Sequence, residues 1–212
     1  MFIKDHFLYY RDGEQCRFIE SPNVGDPTRG DCNEIDHKLI VLHYTATPVD
    51  GQQAIEILTD KQRAVSAHFV VTGNGTITQL VPTNIIAWHA GKSVWGGFQN
   101  LNPYSIGIEI ANPGKLSLHE DGQFYTWYNQ PVDACNLVEA AHNFSPDIQE
   151  MWHTYPEEQY RAVVKLTRVL VEAYRIQYEH QVVGHDDISW PRKCDPGPAW
   201  PMADFKHEVF YR

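Results

Sequence analysis

Short apolar runs separated by polar, turn-rich segments form the main pattern along this chain. Residues 38–45 (K-L-I-V-L-H-Y-T) are almost continuously apolar, which is typical of a strand buried on both faces. Residues 67–71 and 76–81 flank the sequence T-G-N-G and predict a β-hairpin, because Gly and Asn tolerate the positive φ of a tight turn. Residues 104–110 predict another strand, and residues 181–184 a short one.

Helical spacing appears in three segments. Residues 51–63 carry a few apolar positions among polar ones and predict a short amphipathic helix. The longest helix is predicted to begin near T-Y-P-E at 154–157, which has the form of a capping box with an early proline. Its apolar positions, from Val163 to Tyr174, follow the 3.6-residue period. Residues 202–212 predict a short terminal helix.

Two segments do not follow this alternation. Residues 1–36 are polar and rich in turns, and we predict an arm laid over the core. Residues 113–156 carry several aromatic and acidic residues and a helix-like patch at 136–141, and they are too long for a plain connection. We predict an insertion here, packed on one edge of the fold, where it can wall a groove. The length of 212 residues is that of a single domain, 1–212.

Composition limits the possible partners and locations. Hydrophobic residues make up 42% of the chain, as in a soluble globular protein, and the net charge of −10 argues against a nucleic-acid partner. Four cysteines are too few for a disulfide scaffold; Cys16 and Cys32 could pair, but buried reduced thiols are the favoured interpretation. We find no signal peptide and no stretch of transmembrane length. The expected location is cytoplasmic, or the periplasm or cell wall through a non-general export route.

The stretch V-G-H-D-D-I-S-W-P-R-K-C-D-P-G-P-A-W-P at 183–201 concentrates candidate chemistry. His185 ends a short apolar run, and Asp195 stands ten positions later at a rigid Pro-Gly-Pro turn. If the segment is extended, Lys193 and Asp195 lie on the same side. A carboxylate that holds a metal beside an ammonium group that meets developing negative charge suits a metal-dependent hydrolase. The site needs a third ligand, and His43 is the candidate, although a lone histidine at a strand end is more often structural.

Two further positions allow two interpretations each. Glu109 interrupts an apolar run, and either it faces water on an edge strand or it is a base whose burial is tolerated beside a cation. Trp88 and His89 precede Gly91, and they either pack in the core or line a groove for sugar or peptide. The residue pattern alone does not decide between these interpretations.

Five blocks in the same order resemble the zinc-dependent N-acetylmuramoyl-L-alanine amidases, the type-2 amidases related in fold to peptidoglycan-recognition proteins. The blocks are L-H-Y-T-A at 42–46, S-A-H-F-V at 66–70, A-W-H-A-G at 87–91, N-P-Y-S-I-G-I-E at 102–109 and G-H-D-D-I-S-W-P-R-K-C-D-P-G-P at 184–198. The resemblance implies an α/β fold with a central mixed β-sheet flanked by helices. It covers roughly residues 38–112 and 157–201, so the arm and the insertion lie outside it.

The resemblance also implies site residues. It places zinc ligands at His43, His185 and Asp195, and catalytic groups at Glu109 and Lys193. Some relatives carry a catalytic Tyr where this chain has Ala67, so the assisting role is expected to fall to Glu109. Other relatives use Cys as the third ligand, but Cys194 is displaced by one position and is expected to point away.

The implied reaction is hydrolysis of the bond between the lactyl group of N-acetylmuramic acid and L-alanine of the stem peptide, with peptidoglycan or muropeptide as the substrate. Two alternatives remain. One is a non-catalytic peptidoglycan- or muropeptide-binding module, which typically lacks a ligand that this chain has. The other is a zinc peptidase, for which the H-E-x-x-H signature is missing.

Overall fold

The computed structural model describes residues 1–25 and 34–212. The strands in these residues are β1 (Phe2–Lys4), β2 (Phe7–Tyr9), β3 (Arg17–Phe18), β4 (Leu39–Tyr44), β5 (Phe69–Val71), β6 (Ile77–Gln79), β7 (Val94–Trp95), β8 (Phe98–Gln99), β9 (Ser105–Ile110), β10 (Ser117–Leu118), β11 (Phe124–Tyr125), β12 (Leu137–His142), β13 (Ser145–His153) and β14 (Val182–Gly184). The α-helices are α1 (Gln52–Thr59), α2 (Glu157–Tyr174), α3 (His185–Ser189) and α4 (Met202–Tyr211).

Six strands form the central sheet in the order β14-β4-β9-β5-β6-β3. The first four are parallel to one another, β6 is antiparallel to β5, and β3 is parallel to β6. The sheet is therefore mixed, and the predicted fold class is confirmed. Because β9 lies between β4 and β5, the interpretation of residues 104–110 as an edge strand is wrong. Parallel central strands are buried on both faces, which explains their nearly continuous apolar sequences.

Helices cover both faces of the sheet, and alternate strand residues pack against each. One face packs against α2 and α4 through a buried cluster that includes Ile40, Leu42, Ile106, Ile108, Val163, Leu166, Leu170 and Phe205. The other face packs Leu39, Val41 and Val183 against Ile188 of α3, and Val70 against α1. Since side chains alternate along a strand, His43 continues the series of Leu39 and Val41 and lies on the face away from α2.

The N-terminal arm is part of the core as well as laid over it. Leu8 is fully buried in the cluster that contains α2, and Cys16 is buried there as a free thiol. β3 extends the sheet by pairing with β6. Cys135 and Cys194 are also free thiols, whereas Cys32, the other member of the disulfide considered above, lies outside the described residues.

The insertion consists mainly of β-hairpins. The prediction of a helix-like patch at 136–141 is therefore wrong. Residues 137–141 lie in β12, which pairs antiparallel with β13 from Leu137↔His153 to His142↔Ser145. Leu, Glu and Ala favour helix locally, but the adjacent strand partner overrides that preference.

The longest predicted helix is confirmed as α2, but the predicted capping box at 154–157 is wrong. Pro156 is the N-cap residue and makes no side-chain capping hydrogen bond. The backbone of Thr154 instead joins two loops, because its N–H donates to the Asn136 carbonyl and its carbonyl accepts from the Asn112 amide, both at 2.9 Å. Over the residues that the structure describes, no helix is long and apolar enough to span a membrane.

Candidate metal centre and catalytic groove

The carboxyl ends of three adjacent parallel strands bring the candidate residues together. His43 and Glu109 are register partners on β4 and β9. His185 follows directly after β14, which pairs with the other edge of β4. In open parallel sheets this end is where ligand sites form, because the loops that leave the strands can surround a ligand there.

Asp195 reaches the same place through a loop that folds back on α3. The segment after His185 forms α3 as far as Ser189 and then turns, and residues 193–195 lie in a loop rather than a strand, so the strand geometry considered above does not apply to Lys193 and Asp195. Instead, the Asp186 N–H donates to the Asp195 carbonyl at 2.8 Å and closes the loop. The Tyr155 hydroxyl donates to the Pro196 carbonyl at 2.8 Å and holds the following turn.

The three predicted metal ligands converge on one point. Nδ1 of His43 lies 2.9 Å from Nδ1 of His185 and 3.1 Å from Oδ2 of Asp195, and the His185–Asp195 separation is 3.0 Å. All three residues are buried, and among the described residues they form the group that could hold a metal ion. Ligand atoms around a tetrahedral ion with bonds of about 2.0–2.1 Å lie about 3.3 Å apart, so a small adjustment would place an ion between them.

Hydrogen bonding to His185 tests whether a cation fits. Its Nε2 atom lies 3.1 Å from the Ala90 carbonyl oxygen, which can only accept, so Nε2 carries the proton. Arg192 Nη2 lies 3.3 Å from the same nitrogen but is closer to three oxygen acceptors. With the proton on Nε2, the Nδ1 lone pair of His185 is available for coordination 3.0 Å from Oδ2 of Asp195, so a cation between these two atoms would be bound by both. Two imidazoles and a carboxylate are a donor set of catalytic zinc sites.

The surroundings of His43 and Asp195 keep these two groups in the protonation states that bind a metal. Burial, with the nearby His185, lowers the pKa of His43 to about 4, so its imidazole is neutral near pH 7. Burial alone would raise the pKa of Asp195, but contacts with His185 and His43 outweigh it and hold that pKa below its ordinary value. Neutral imidazole and ionised carboxylate are the forms that coordinate divalent ions.

Glu109 is a half-buried base candidate beside the three ligands. Its Oε2 atom is buried and has no hydrogen-bond partner among the described residues. Burial, with the negative charge of Asp195, raises the pKa of Glu109 from its ordinary value of 4.5 to about 8, while Lys193 lowers it. A buried carboxylate oxygen without a partner, on a residue that lines a polar cavity, is typical of a group that works on a ligand.

A cavity of about 440 Å³ contains all five predicted residues. Its lining includes His43, Glu109, His185, Lys193 and Asp195, and also Trp88 and His89. Lys193 is exposed, so its ammonium group has access to a ligand in the cavity. This volume is typical of small-molecule sites.

A family model described as N-acetylmuramoyl-L-alanine amidase matches residues 33–198. This chain belongs to that amidase family. The resemblance seen in the five sequence blocks is therefore confirmed, and the match also spans the insertion.

Individual amidases show similar sequence and structure. The N-acetylmuramoyl-L-alanine amidase AmiD of Escherichia coli is 36% identical over 178 residues, which are 81% of this chain and 52% of AmiD. The 1,6-anhydro-N-acetylmuramyl-L-alanine amidase AmpD of Haemophilus influenzae is 29% identical over 210 residues, which are 92% of each chain. The chain thus spans about half the length of AmiD and nearly all of AmpD.

A solved amidase structure has the same fold. The complex of E. coli AmiD with anhydro-N-acetylmuramic acid-L-Ala-D-gamma-Glu-L-Lys superposes with a TM-score of 0.62 and 30% identity, covering 89% of this chain and 66% of that chain.

Three other positions have clear places in this amidase fold. Ala67 is fully buried in the cluster beside α1 and contributes no polar group. The Cys194 sulfur lies 3.2 Å from the Tyr44 hydroxyl and is not one of the three converging ligands. From the insertion, the Trp127 indole N–H donates to the carbonyl of Ala46, which lines the cavity. Sequence reasoning missed this contact, because nothing in the pattern links residues 81 positions apart.

Proposed function

We propose that this protein is a zinc-dependent N-acetylmuramoyl-L-alanine amidase that hydrolyses the bond between the lactyl group of N-acetylmuramic acid and L-alanine of the stem peptide. The observation that carries the proposal is the convergence of His43, His185 and Asp195 beside Glu109 and Lys193 in one cavity. The similarity to AmiD and AmpD, whose names describe this bond specificity, supports it.

The two imidazoles and the carboxylate would hold the ion and leave one coordination position toward the cavity. When bound, zinc supplies Lewis-acid chemistry, which lowers the pKa of water and polarises an amide carbonyl. Asp195 reduces the net positive charge at this point, and the buried surroundings keep the ligands fixed. Three protein ligands with an open position characterise catalytic rather than structural zinc sites.

Glu109 would transfer protons, and Lys193 would stabilise negative charge. Glu109 can accept a proton from the attacking water and return it to the leaving amine of L-alanine, because it lines the cavity beside the three ligands. Positive charge nearby favours the ionised base form that this role needs. The Lys193 ammonium group can stabilise negative charge that develops on the carbonyl oxygen. Lys193 and Arg192 also give an acidic protein a local positive region for an anionic stem peptide.

Product analysis tests this proposal. Zinc-loaded protein would be incubated with purified sacculi and, separately, with soluble anhydro-muropeptides, and the products identified by mass spectrometry. We expect stem peptides with a free L-alanine amine, and Glu109→Ala should retain zinc but lose most turnover. Cleavage at any other bond would contradict the proposal.

The same assay decides the alternatives and the substrate form. Binding to sacculi without cleavage would favour a peptidoglycan-binding module. Release of stem peptides from sacculi would indicate wall lysis at the periplasm or cell wall, and activity on soluble fragments alone would indicate cytoplasmic recycling.

That residues 1–212 act as one domain remains a prediction.

A further inference from the structure

His89 lies behind His43, on the side away from the three converging ligand atoms. Its Nδ1 atom is 3.0 Å from Nε2 of His43, and the two rings meet edge to face at 83°. His43 uses its other nitrogen, Nδ1, toward His185 and Asp195. The A-W-H-A-G motif at 87–91 therefore supplies a contact to the first ligand, and His89 is not simply a groove residue.

Ser105 fixes which nitrogen of His89 carries the proton. Nε2 of His89 lies 3.2 Å from the Ser105 carbonyl oxygen and 3.4 Å from the Ser105 hydroxyl. The hydroxyl donates its hydrogen to the Leu101 carbonyl at 2.7 Å, so toward His89 both oxygens of Ser105 can only accept. Nε2 of His89 is therefore the donor, and in the neutral ring Nδ1 is an acceptor.

The same assignment of donors and acceptors fixes the tautomer of His43. Since Nδ1 of His89 accepts, Nε2 of His43 donates, and the lone pair of His43 is left on Nδ1, the atom that faces Asp195. The opposite arrangement would place a lone pair of His89 against the Ser105 carbonyl and a proton of His43 where an ion would bind. An outer hydrogen-bond partner that fixes the tautomer of a ligating histidine raises metal affinity.

The sheet makes room for this ring at Gly107. A Cβ atom at this position of β9 would lie 2.5 Å from Cγ and 2.7 Å from Nδ1 of His89. Gly in a strand interior weakens the strand and often marks a close approach by another group. Here the group that approaches is the imidazole that contacts His43.

We propose that His89 is a positioning residue that holds His43 in the tautomer able to bind the metal, with Ser105 fixing its orientation and Gly107 providing its space. The inference rests on the proposed metal site formed by His43, His185 and Asp195. In this role His89 acts through His43, and it also lines the cavity.

Two amide substitutions separate the contacts of His89. The Asn side chain places its oxygen near the position of Nδ1, so His89→Asn keeps an acceptor for His43. The Gln side chain reaches the position of Nε2, so His89→Gln keeps the contact with Ser105 but lacks that acceptor. His68→Gln is the matched control, because His68 is a neighbouring buried histidine that bonds to Gly107 and Ile85 and not to a ligand.

Zinc affinity, measured by competition with a chelator on protein shown to be folded, is the readout. We expect His89→Gln to lose roughly 10- to 100-fold in zinc affinity, while His89→Asn and His68→Gln stay within a few-fold of the wild type. Gly107→Ala should also weaken zinc binding by displacing the ring. Wild-type affinity in His89→Gln, or an equal loss in His68→Gln, would overturn the positioning role. Failure of the wild type to bind zinc would instead refute the proposed metal site.

Discussion

Substituting Glu109 with glutamine should stabilise the metal-free protein at alkaline pH. Burial raises the pKa of Glu109 from 4.5 to about 8, so the folded state retains a proton that the unfolded state releases. Stability is therefore greatest below the unfolded pKa and falls as pH rises through the folded value. One pKa unit corresponds to about 1.4 kcal/mol, so the raised pKa of Glu109 lowers the free energy of unfolding at alkaline pH by at most about 5 kcal/mol. Water in the open groove screens part of this effect, so we expect Glu109→Gln to be more stable than the wild type by about 2–4 kcal/mol above pH 8.

Urea denaturation of chelator-treated protein at several pH values between 5 and 9 measures the effect. The two proteins should be similar near pH 5, and Glu109→Gln should become progressively more stable as pH rises. The matched control is Glu139→Gln, which removes an exposed carboxylate from the insertion hairpin. Zinc should reduce the difference, because positive charge beside Glu109 lowers its pKa. Parallel pH profiles for wild type and Glu109→Gln would refute the reasoning.

Three further substitutions test individual groups. Lys193→Met should lower kcat by roughly 10²- to 10³-fold and leave zinc content unchanged; unaltered kcat would remove the ammonium group from the mechanism. Cys194→Ser should keep zinc content and turnover within about twofold, because the sulfur contacts the Tyr44 hydroxyl; loss of zinc, measured by metal analysis, would make Cys194 a ligand. Trp127→Ala should raise KM by roughly fivefold with kcat unchanged, since its exposed ring is held at the cavity rim through Ala46; an unchanged KM would show that substrate does not reach it.

The central sheet was predictable because its strands have strong local signals. The apolar runs became β4 and β9, the T-G-N-G turn joins β5 and β6, and the short run before His185 became β14. Strand order was not predictable from the pattern, because pairing depends on contacts distant in sequence. The insertion was the least predictable part, since residues 136–141 favour helix locally and form a strand only because β13 pairs with them.

The candidate site was predictable as a set of residues but not as a geometry. Family resemblance identified His43, His185 and Asp195, and the sheet register explains why His43 and Glu109 are neighbours. The supporting contacts were not predictable, because they join distant positions such as His89 and Ser105. A glycine within the apolar strand at 107 was the available signal, since it marks a close approach but does not identify the group that approaches.

The most direct test of the central claim is an anomalous diffraction map of zinc-loaded crystals, collected at the zinc absorption edge. We predict a single strong peak about 2.0–2.2 Å from Nδ1 of His43, Nδ1 of His185 and Oδ2 of Asp195, with a fourth position open to the cavity. A peak bound by other residues, or an ion closed off by a fourth protein ligand such as Cys194, would contradict it.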